Sequence, residues 1–368
     1  MELPILYKKN KNDSFQTWKI WNVDATIYTE HGKAGGKLQL TSKVIKGKSI
    51  GRSNETTPAQ QAELEIQSMW NKKKNKGYFV TIIEADEEVV FLPMLAHPLT
   101  DKIKAKLKFP VYVQPKMDGV RCLARWNGDK IQLVSRGGKE YTINHLSKEL
   151  EAVIPPGQVL DGEIYIHSLL RQDINALAKK HRETEYEDTG YCSKDLEYWV
   201  YDTFDPNKLH ELFHDRSLTL SCLKTTASVR YVHTTAINSL KEFWHYHKTF
   251  NKNGFEGSII RLYDGPYELG HRSRSLLKYK DFKDDEFEII GFTEGTGKFE
   301  GCVTWICKTK DNKTFNVVPK GTLHQKKKWF SEAEKYIGKE ITVKYQSFSK
   351  DGIPEFPVGI GLRLEEDK

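Results

Sequence analysis

The first part of the chain alternates apolar and polar residues in two short runs, at 17–21 and 25–28. Alternation with a period of two predicts strands that bury one face. A glycine-rich segment follows at 31–37 and predicts a turn, because glycine adopts positive φ without steric cost. The chain is therefore expected to begin with a small sheet.

A helix with clear end signals is predicted next. Thr57 suits the N-cap, Pro58 suits the first helical position, and Gln60 completes a capping box. Apolar residues recur at helical spacing, and Gly77 is the expected C-cap. The last turn is basic, with Lys72, Lys73, Lys74 and Lys76. The helix dipole favours cations there, so dipole compensation and ligand binding both stay open for these lysines.

Strand-like and helix-like runs alternate from about residue 110 to 282, which predicts an α+β or α/β domain with much antiparallel sheet. The predicted strands are 111–114, 120–126, 131–135, 158–166, 198–203, 229–234, 257–262 and 276–280, and the predicted helices lie near 144–152, 168–182, 214–224 and 238–251. After Asp284, short strands and glycine turns with one helix near 329–337 are typical of a small β-barrel.

Composition narrows the class of protein. With 38% hydrophobic and 29% charged residues the chain is predicted to be soluble and globular, and its apolar runs are far shorter than the roughly 20 residues of a membrane helix. Five cysteines, an odd number without a CxxC pair, favour neither a disulfide framework nor a four-cysteine zinc site. A reducing, cytoplasmic location and no membrane partner are expected.

Charge is unevenly distributed along the sequence. The first 83 residues hold 14 Lys and Arg against 7 Asp and Glu, which accounts for the whole net charge of +7, while the remaining 285 residues hold 43 of each sign. A small basic module on a neutral body suits a polyanionic partner, since each neutralised phosphate releases counterions. A lysine-rich surface kept for solubility is the alternative, and composition leaves both open.

The strongest chemical candidate is Lys116, in the segment Lys116-Met117-Asp118-Gly119-Val120-Arg121 between two predicted strands. A lysine amine attacks phosphorus or a carbonyl only when it is deprotonated, so it requires burial or neighbouring cations. Other segments supply the rest of a nucleotidyl-transfer site: two carboxylates for a cation, an aromatic plate for a base and two lysines for phosphates. These are Glu163 after Asp161-Gly162, Glu256 before Gly257, Tyr201 beside Asp202, and Lys278 with Lys280 on one strand face. The alternative is that the lysines protect an edge strand from aggregation and that the glutamates are ordinary surface charges.

This ordered set resembles the covalent nucleotidyltransferases, namely ATP-dependent DNA ligases, RNA ligases and mRNA-capping enzymes, over roughly residues 93–368. The resemblance implies an ATP-grasp-like adenylyltransferase domain in which Lys116 forms a lysyl-AMP phosphoramide. The implied nucleotide contacts are Gln114 beside the base, Tyr201 stacked on adenine, Arg121 on the ribose and the nick, Glu163 on the ribose or metal, Glu256 on the catalytic metal, and Lys278 and Lys280 on the α-phosphate. Implied cofactors are ATP and Mg²⁺, for which Mn²⁺ can substitute.

The same resemblance covers the C-terminal segment, which is similar to the OB-fold of DNA ligases. Gly295-Thr296-Gly297-Lys298-Phe299-Glu300-Gly301 matches its first hairpin, and Lys298 is an expected DNA contact. Arg136, in Ser135-Arg136-Gly137-Gly138-Lys139, is expected at the 5′-phosphate side of a nick. One departure is that the family's terminal Arg-x-Asp-Lys is replaced by Glu365-Glu366-Asp367-Lys368. Arg363 is the candidate substitute for the missing arginine.

The N-terminal sheet and helix, with the Tyr28-to-Gly36 turn and Lys76-Gly77-Tyr78, resemble a WGR domain, a DNA-binding module in which Lys33 and Lys37 would contact DNA. His31-Gly32-Lys33 stands at the position of the name-giving tripeptide. We therefore expect an α+β multidomain monomer: a WGR-like domain at 1–84, an adenylyltransferase domain with antiparallel sheets at 85–282 and an OB-fold at 283–368, hinged near 282–285. The expected partner is nicked duplex DNA, in replication, repair or recombination.

Alternatives remain at the sequence level. A capping guanylyltransferase or an RNA ligase shares the lysine motif, and a non-catalytic nick-binding protein is the rival outside enzymes. His210-Glu211-Leu212-Phe213-His214 satisfies the HExxH pattern of zinc proteases, although a solvated helix start is the favoured interpretation. His245 and His247 are expected on an exposed helix face.

Overall fold

An antiparallel sheet of order β1-β2-β3-β4 opens the computed structural model, which describes residues 1–10, 12–87, 91–180 and 189–362. Its strands are β1 (Leu6–Lys9), β2 (Phe15–Val23), β3 (Thr26–Lys33) and β4 (Leu38–Val44). Helix α1 (Pro58–Lys74) packs on the sheet through Ala62 and Ile66, which meet Trp18 and Ile20 in a buried core. The predicted sheet and helix are both present.

The end signals of α1 are close to those expected. The Thr57 hydroxyl accepts from the Gln60 N–H at 3.3 Å, and the Gln60 side chain accepts from the Thr57 N–H at 3.0 Å, so the capping box is confirmed. The α-helical hydrogen bonding ends at Asn75, which is in a right-handed conformation. Gly77 then supplies the predicted left-handed cap: its φ is +79°, its N–H donates to the Lys74 carbonyl at 2.9 Å, and the Tyr78 N–H donates to the Lys73 carbonyl at 3.3 Å.

Two mixed sheets build the central part of the fold. The first has the order β12-β11-β10-β7-β8-β9 and the second the order β13-β6-β14-β15-β5. Most neighbours are antiparallel, as predicted, but β12 beside β11 and β5 beside β15 are parallel. In chain order the elements are α2 (Ile82–Glu87), β5 (Leu95–Pro98), α3 (Asp101–Lys104), β6 (Val111–Lys116), β7 (Val120–Trp126), β8 (Ile131–Ser135), β9 (Glu140–Tyr141), α4 (Asn144–Glu151), β10 (Val159–Tyr165), α5 (Arg171–Lys180), β11 (Glu197–Phe204), α6 (Phe213–Ser221), β12 (Val229–Tyr231), β13 (Thr235–Ile237), α7 (Leu240–Lys252), β14 (Gly257–Leu262) and β15 (Arg272–Tyr279).

The limits of β15 correct one expectation about its lysines. The strand begins at Arg272 and ends at Tyr279, so Lys280 lies outside it. Its register against β5 also shifts between Ser273 and Leu277. Strict alternation along 276–280 is therefore not a valid guide to where Lys278 and Lys280 point.

The described residues divide into two compact units between Lys278 and Tyr279. The second unit is a closed barrel of order β16-β17-β18-β20-β19, which confirms the predicted β-barrel. Its elements are β16 (Lys283–Glu294), β17 (Val303–Lys308), β18 (Thr314–Pro319), α8 (Leu323–Ser331), β19 (Glu340–Tyr345) and β20 (Val358–Leu362). Helix α8 starts earlier than predicted, because Thr322 and Gln325 form a capping box, and a 3₁₀ turn covers Ala333–Tyr336.

Some expectations lie outside the described residues. Arg363 and the segment Glu365-Glu366-Asp367-Lys368 are among them. In the part of the chain that is described, no helix combines the length and apolar character needed to span a membrane.

Candidate active site

Lys116 ends β6 and meets Glu256 at the start of β14. The two strands pair antiparallel with Lys116 opposite Gly257, so Glu256 is the next residue along. The Lys116 ammonium forms an ion pair with the Glu256 carboxylate and donates to the Met117 carbonyl at 3.3 Å. The exposed fractions of the two side chains are 20% and 7%, so the pair is largely removed from water.

Burial lowers the pKa of Lys116 below its ordinary value. The positive charges of Arg171 and Arg121 act in the same direction, while Glu163 and Asp118 oppose it. A buried amine with a lowered pKa is the form in which lysine acts as a nucleophile. This electrostatic environment is what the sequence analysis required of Lys116.

Glu163 comes to the same place from β10. Its carboxylate accepts from the Tyr201 hydroxyl at 3.2 Å, and burial raises its pKa although Lys116 and Arg121 work against this. Gly119 passes directly beneath it: a Cβ at position 119 would lie 2.5 Å from the Ile164 carbonyl oxygen and 2.7 Å from Cγ of Glu163. Gly119 is therefore required for the close approach of the chain before β7 to β10.

Arg121 is held in a bidentate ion pair with Asp161. Its Nε and Nη2 donate to the two carboxylate oxygens at 2.7 and 2.5 Å, and Nη2 also donates to the Met94 carbonyl at 2.9 Å. The Tyr267 hydroxyl donates to the same carboxylate at 2.6 Å. Asp161 is fully buried and thus fixes the guanidinium, which lies 5.0 Å from the centre of the Tyr201 ring.

Gln114 and Tyr201 belong to a buried polar network. The Gln114 amide donates to the Tyr201 carbonyl at 3.0 Å and to the Thr234 hydroxyl at 2.8 Å, and its oxygen accepts from Arg261 Nε at 2.8 Å. Arg261 and Arg216 share the Asp202 carboxylate. Burial alone would raise the pKa of Asp202, but these guanidinium groups hold it below its ordinary value.

Arg261 and Arg216 are positioning residues that were not predicted from the sequence. A charged side chain inside the largely apolar strand Gly257–Leu262 was a usable signal for Arg261, since a buried charge requires a partner. Arg216 lies within a short helix and offered no comparable signal. Their shared partner, Asp202, directly follows Tyr201 in β11. The two ion pairs therefore hold the part of the strand that carries the Tyr201 ring.

Lys278 shares an electrostatic environment with Lys116. Burial lowers its pKa, and so do the positive charges of Lys116, Arg272 and Arg136. Lys280 belongs to the second unit, where its Nζ donates to the Gln346 side chain at 2.9 Å. The structure thus brings Lys278 to the Lys116 site, while the contact described for Lys280 is with the barrel unit.

Comparison with known proteins identifies the family of this chain. Residues 93–280 match the family described as ATP dependent DNA ligase domain, and residues 294–363 match the DNA ligase OB-like domain. The chain belongs to the ATP-dependent DNA ligase family. The site around Lys116 lies within the first matched region, and the barrel corresponds to the second.

Relatives of this ligase include viral and phage enzymes. It is 30% identical over 366 residues to a DNA ligase of African swine fever virus, covering 92% of this chain and 84% of the relative. It is 27% identical over 244 residues to the DNA ligase of Enterobacteria phage T4, covering 54% and 50%. A solved structure from a study of Lig E DNA ligases has a TM-score of 0.59 at 19% identity, covering 75% of this chain and 100% of that one, which indicates a shared fold.

The expected DNA-contacting residues of the ligase lie on its surface. Lys33 ends β3 and Lys37 precedes β4, and both are exposed at that turn. Arg136 is exposed in the turn between β8 and β9. Lys298 is exposed in a 3₁₀ turn of the barrel unit, Gly297–Phe299, with its Nζ 5.0 Å from the Phe299 ring centre.

The candidate metal ligands of the ligase, Glu163 and Glu256, carry carboxylate oxygens. Among the described residues no group of three or more His, Cys, Asp or Glu could hold a metal by itself. Glu163 and Glu256 both border Lys116. Because Mg²⁺ is commonly held by one or two carboxylates together with water and substrate phosphates, this donor set fits that ion.

Two histidines of the singled-out motifs, His214 and His247, make structural contacts. His210 precedes α6, and the His214 ring is hydrogen-bonded to the Tyr112 hydroxyl at 2.6 Å and stacked on Tyr263. The expectation of an exposed His247 was wrong: its side chain is buried against β14, where Nδ1 shares a 2.8 Å hydrogen bond with the Ser258 hydroxyl. The aromatic neighbour Phe243 packs with it in α7.

Proposed function

We propose that this ligase seals nicks that carry a 5′-phosphate and a 3′-hydroxyl in duplex DNA, through an adenylate carried on Lys116. The observation that supports the proposal most directly is the buried Lys116 amine, which has a lowered pKa and lies beside Glu163 and Glu256. A nucleophile of this kind in a site bordered by carboxylates and Lys278 is suited to attack on a phosphate. Family membership supplies ATP as the substrate.

The reaction is proposed to run in three phosphoryl-type steps. The Lys116 amine, having lost its proton, attacks the α-phosphorus of ATP, forming a P–N bond while the bond to pyrophosphate breaks. An oxygen of the 5′-phosphate at the nick then attacks the same phosphorus and releases Lys116. Finally the 3′-hydroxyl attacks the DNA 5′-phosphorus and releases AMP with loss of the hydroxyl proton.

The protein contributes positioning and charge neutralisation to these steps. The Tyr201 ring is proposed to stack on adenine, with Gln114 orienting β6 beside the base and Arg121 and Glu163 directed at the ribose. Lys278 and Lys280 are assigned to the α-phosphate. Glu163 and Glu256 would hold Mg²⁺, or Mn²⁺ in its place, and the metal would supply positive charge against the developing charge on the phosphates.

Contacts to DNA are assigned to Arg136, Lys298, Lys33 and Lys37. The N-terminal sheet and helix are proposed to be a WGR-like DNA-binding module at 1–84, joined to an ATP-grasp-like adenylyltransferase domain at 85–282 and the barrel at 283–368, with a hinge near 282–285. Exposed basic residues in the module support its assignment, since they suit a phosphate backbone. The enzyme is proposed to act as a monomer in the cytoplasm of a bacterial cell or of a virus's host cell.

Labelling with radioactive nucleotide tests the proposal. The protein is incubated with Mg²⁺ and α-labelled ATP or GTP and analysed on a denaturing gel, and a nicked duplex is then added. An acid-labile adduct from ATP that is discharged onto the nicked strand is expected. A GMP adduct would instead indicate a capping enzyme, and the absence of both adducts would contradict covalent catalysis.

A further inference from the structure

Four lysines gather around two aromatic rings in the N-terminal module. Lys8 of β1 and Lys72, Lys73 and Lys76 at the end of α1 are called the lysine cluster below. The Lys73 Nζ lies 5.0 Å from the Trp18 ring centre and 4.6 Å from the Tyr78 ring centre, and the Lys8 Nζ donates to the Lys76 carbonyl at 3.0 Å. A cavity of about 300 Å³ lies beside them, lined by Trp18, Thr29, His31, Met69, Lys72, Lys73 and Lys76.

The charge of the lysine cluster is not balanced by acids. Among the described residues no carboxylate forms an ion pair with it, whereas Lys48 pairs with Glu65 in the same module and Lys9 pairs with Asp86 of α2. Burial lowers the pKa of Lys8 and of Lys73, and the charges that lower them further are those of other lysines of the cluster. Gathered cations repel one another, and an anion bound there would remove that cost.

The helix dipole accounts for only part of this arrangement. It favours Lys72, Lys73 and Lys74 alike in the last turn of α1, and of these Lys74 lies over Trp70 and does not line the cavity. Lys8 comes from a strand 68 residues away from Lys76 in sequence, so its presence is a matter of tertiary structure. Ammonium groups held beside the Trp18 and Tyr78 rings are suited to binding the phosphates of a nucleic-acid backbone.

The end of α1 also abuts the turn that carries Arg136. Gly138 has a φ of +81°, and a Cβ at that position would lie 2.1 Å from the Asn75 carbonyl oxygen. Asn75 immediately precedes Lys76, and Gly138 is two residues from Arg136. The lysine cluster is thereby anchored to the exposed turn to which the proposed function assigns the 5′-phosphate side of the nick.

We propose that the lysine cluster binds DNA phosphates beyond those held by Arg136, so that the two form one continuous footprint on the 5′-phosphate side of the nick. This rests on the proposed function for the assignment of Arg136. It moves the main DNA contact of the module away from the glycine-rich turn with Lys33 and Lys37 and onto the end of α1.

Salt dependence of binding tests the proposal. The dissociation constant for a nicked duplex is measured between about 50 and 200 mM salt for the full chain, for Lys72→Gln/Lys76→Gln, and for Lys74→Gln as the control on the same helix turn. Loss of two phosphate contacts should make the slope of log association constant against log salt concentration less negative by about 1.8. Lys74→Gln should leave this slope unchanged. Equal slopes for all three proteins, or an equal loss in Lys74→Gln, would overturn the proposal.

A second pair of variants tests the link to Arg136. Gly138→Ala forces its side chain into Asn75, whereas Gly137→Ala in the same turn meets nothing within 4 Å. Gly138→Ala should make the salt slope less negative and Gly137→Ala should not. If Lys33→Gln/Lys37→Gln makes the slope less negative and the cluster variant does not, the glycine-rich turn is the contact and the inference is wrong. AMP-adduct formation is measured in the unaltered chain and in each variant. Absence of the adduct from the unaltered chain would refute the proposed function, and this result is separate from the salt dependence.

Discussion

Glu256 contacts Lys116 through both its backbone and its side chain. Its backbone N–H donates to the Lys116 carbonyl at 2.9 Å, and its carboxylate pairs with the Lys116 ammonium. The backbone bond continues the pairing of β6 and β14, so the sheet places the two residues that form the ion pair next to each other. The amine is therefore oriented before any nucleotide binds, which reduces the reorganisation needed for attack.

Replacing Lys116 is expected to abolish adduct formation. Lys116→Arg keeps the positive charge beside Glu256 but removes a group that can deprotonate, because a guanidinium stays charged at any accessible pH. Neither Lys116→Arg nor Lys116→Ala should become labelled from ATP. Lys139→Ala removes an exposed lysine from the turn between β8 and β9. It is the control and should label normally. A labelled Lys116→Ala protein would remove Lys116 from its assigned role.

Self-adenylylation is expected to rise with pH and then level off. The neutral amine is the reactive form, and burial lowers the pKa of Lys116 below 10.5, so the midpoint of the rise is expected below that pH. Glu256→Gln removes the carboxylate that stabilises the ammonium, which should move the rising limb to lower pH. Single-turnover rates of adduct formation across the pH range give the position of the limb.

The height of the plateau is not diagnostic in that experiment, because Glu256 is also assigned to the metal. Glu300→Gln, at an exposed carboxylate of the barrel unit, serves as the control and should leave the limb in place. An unshifted limb in Glu256→Gln would mean that the ion pair does not control the protonation of Lys116.

Gly119→Ala is expected to slow adduct formation by about 10²-fold. A Cβ at position 119 would lie within 2.7 Å of Cγ of Glu163, so this carboxylate must move, and a displacement of about 1 Å in a catalytic site costs a factor of that size. Gly137→Ala, with open space around its Cβ, should react normally. Rates measured at saturating ATP separate the two variants, and wild-type behaviour of Gly119→Ala would contradict the packing argument.

The ring and the hydroxyl of Tyr201 are expected to have separate effects. Tyr201→Phe keeps the ring and removes the hydrogen bond to Glu163, so KM for ATP should change little. Tyr201→Ala removes a stacking partner worth about 1–3 kcal/mol per base, which corresponds to a five- to 150-fold rise in KM. Val200→Ala opens a cavity in the same strand and should leave KM unchanged. Equal KM values for Tyr201→Ala and Val200→Ala would exclude stacking on this ring.

Local sequence signals predicted much of this structure correctly. The capping box of Thr57 and Gln60 is confirmed because it depends on residues three apart. Strands such as Val120–Trp126 and Gly257–Leu262 have the predicted limits, since each is a short, largely apolar segment with turn residues next to it. The predicted helix limits were less accurate: α8 starts at a capping box that the sequence analysis did not use.

Residues that act through distant partners could not be found in the same way. The pairing of Arg121 with Asp161 follows from the alignment of β7 against β10, and the sharing of Asp202 by Arg216 and Arg261 joins three separate elements. Position along the chain does not reveal which charges meet. Lys280 shows the converse, because its spacing from Lys278 suggested one shared face, whereas its described partner is Gln346 of the barrel.

The sequence by itself determined the family and predicted the C-terminal barrel, and it predicted the chemistry from a Lys-x-Asp-Gly motif with carboxylates and lysines in a fixed order. These are properties of residue type and local spacing. Only the tertiary structure decided which charges are paired, how far Lys116 is buried and that Lys8 joins the lysines of α1. Burial and Coulomb energy depend on distances through space, and these exist only after strands far apart in sequence have paired.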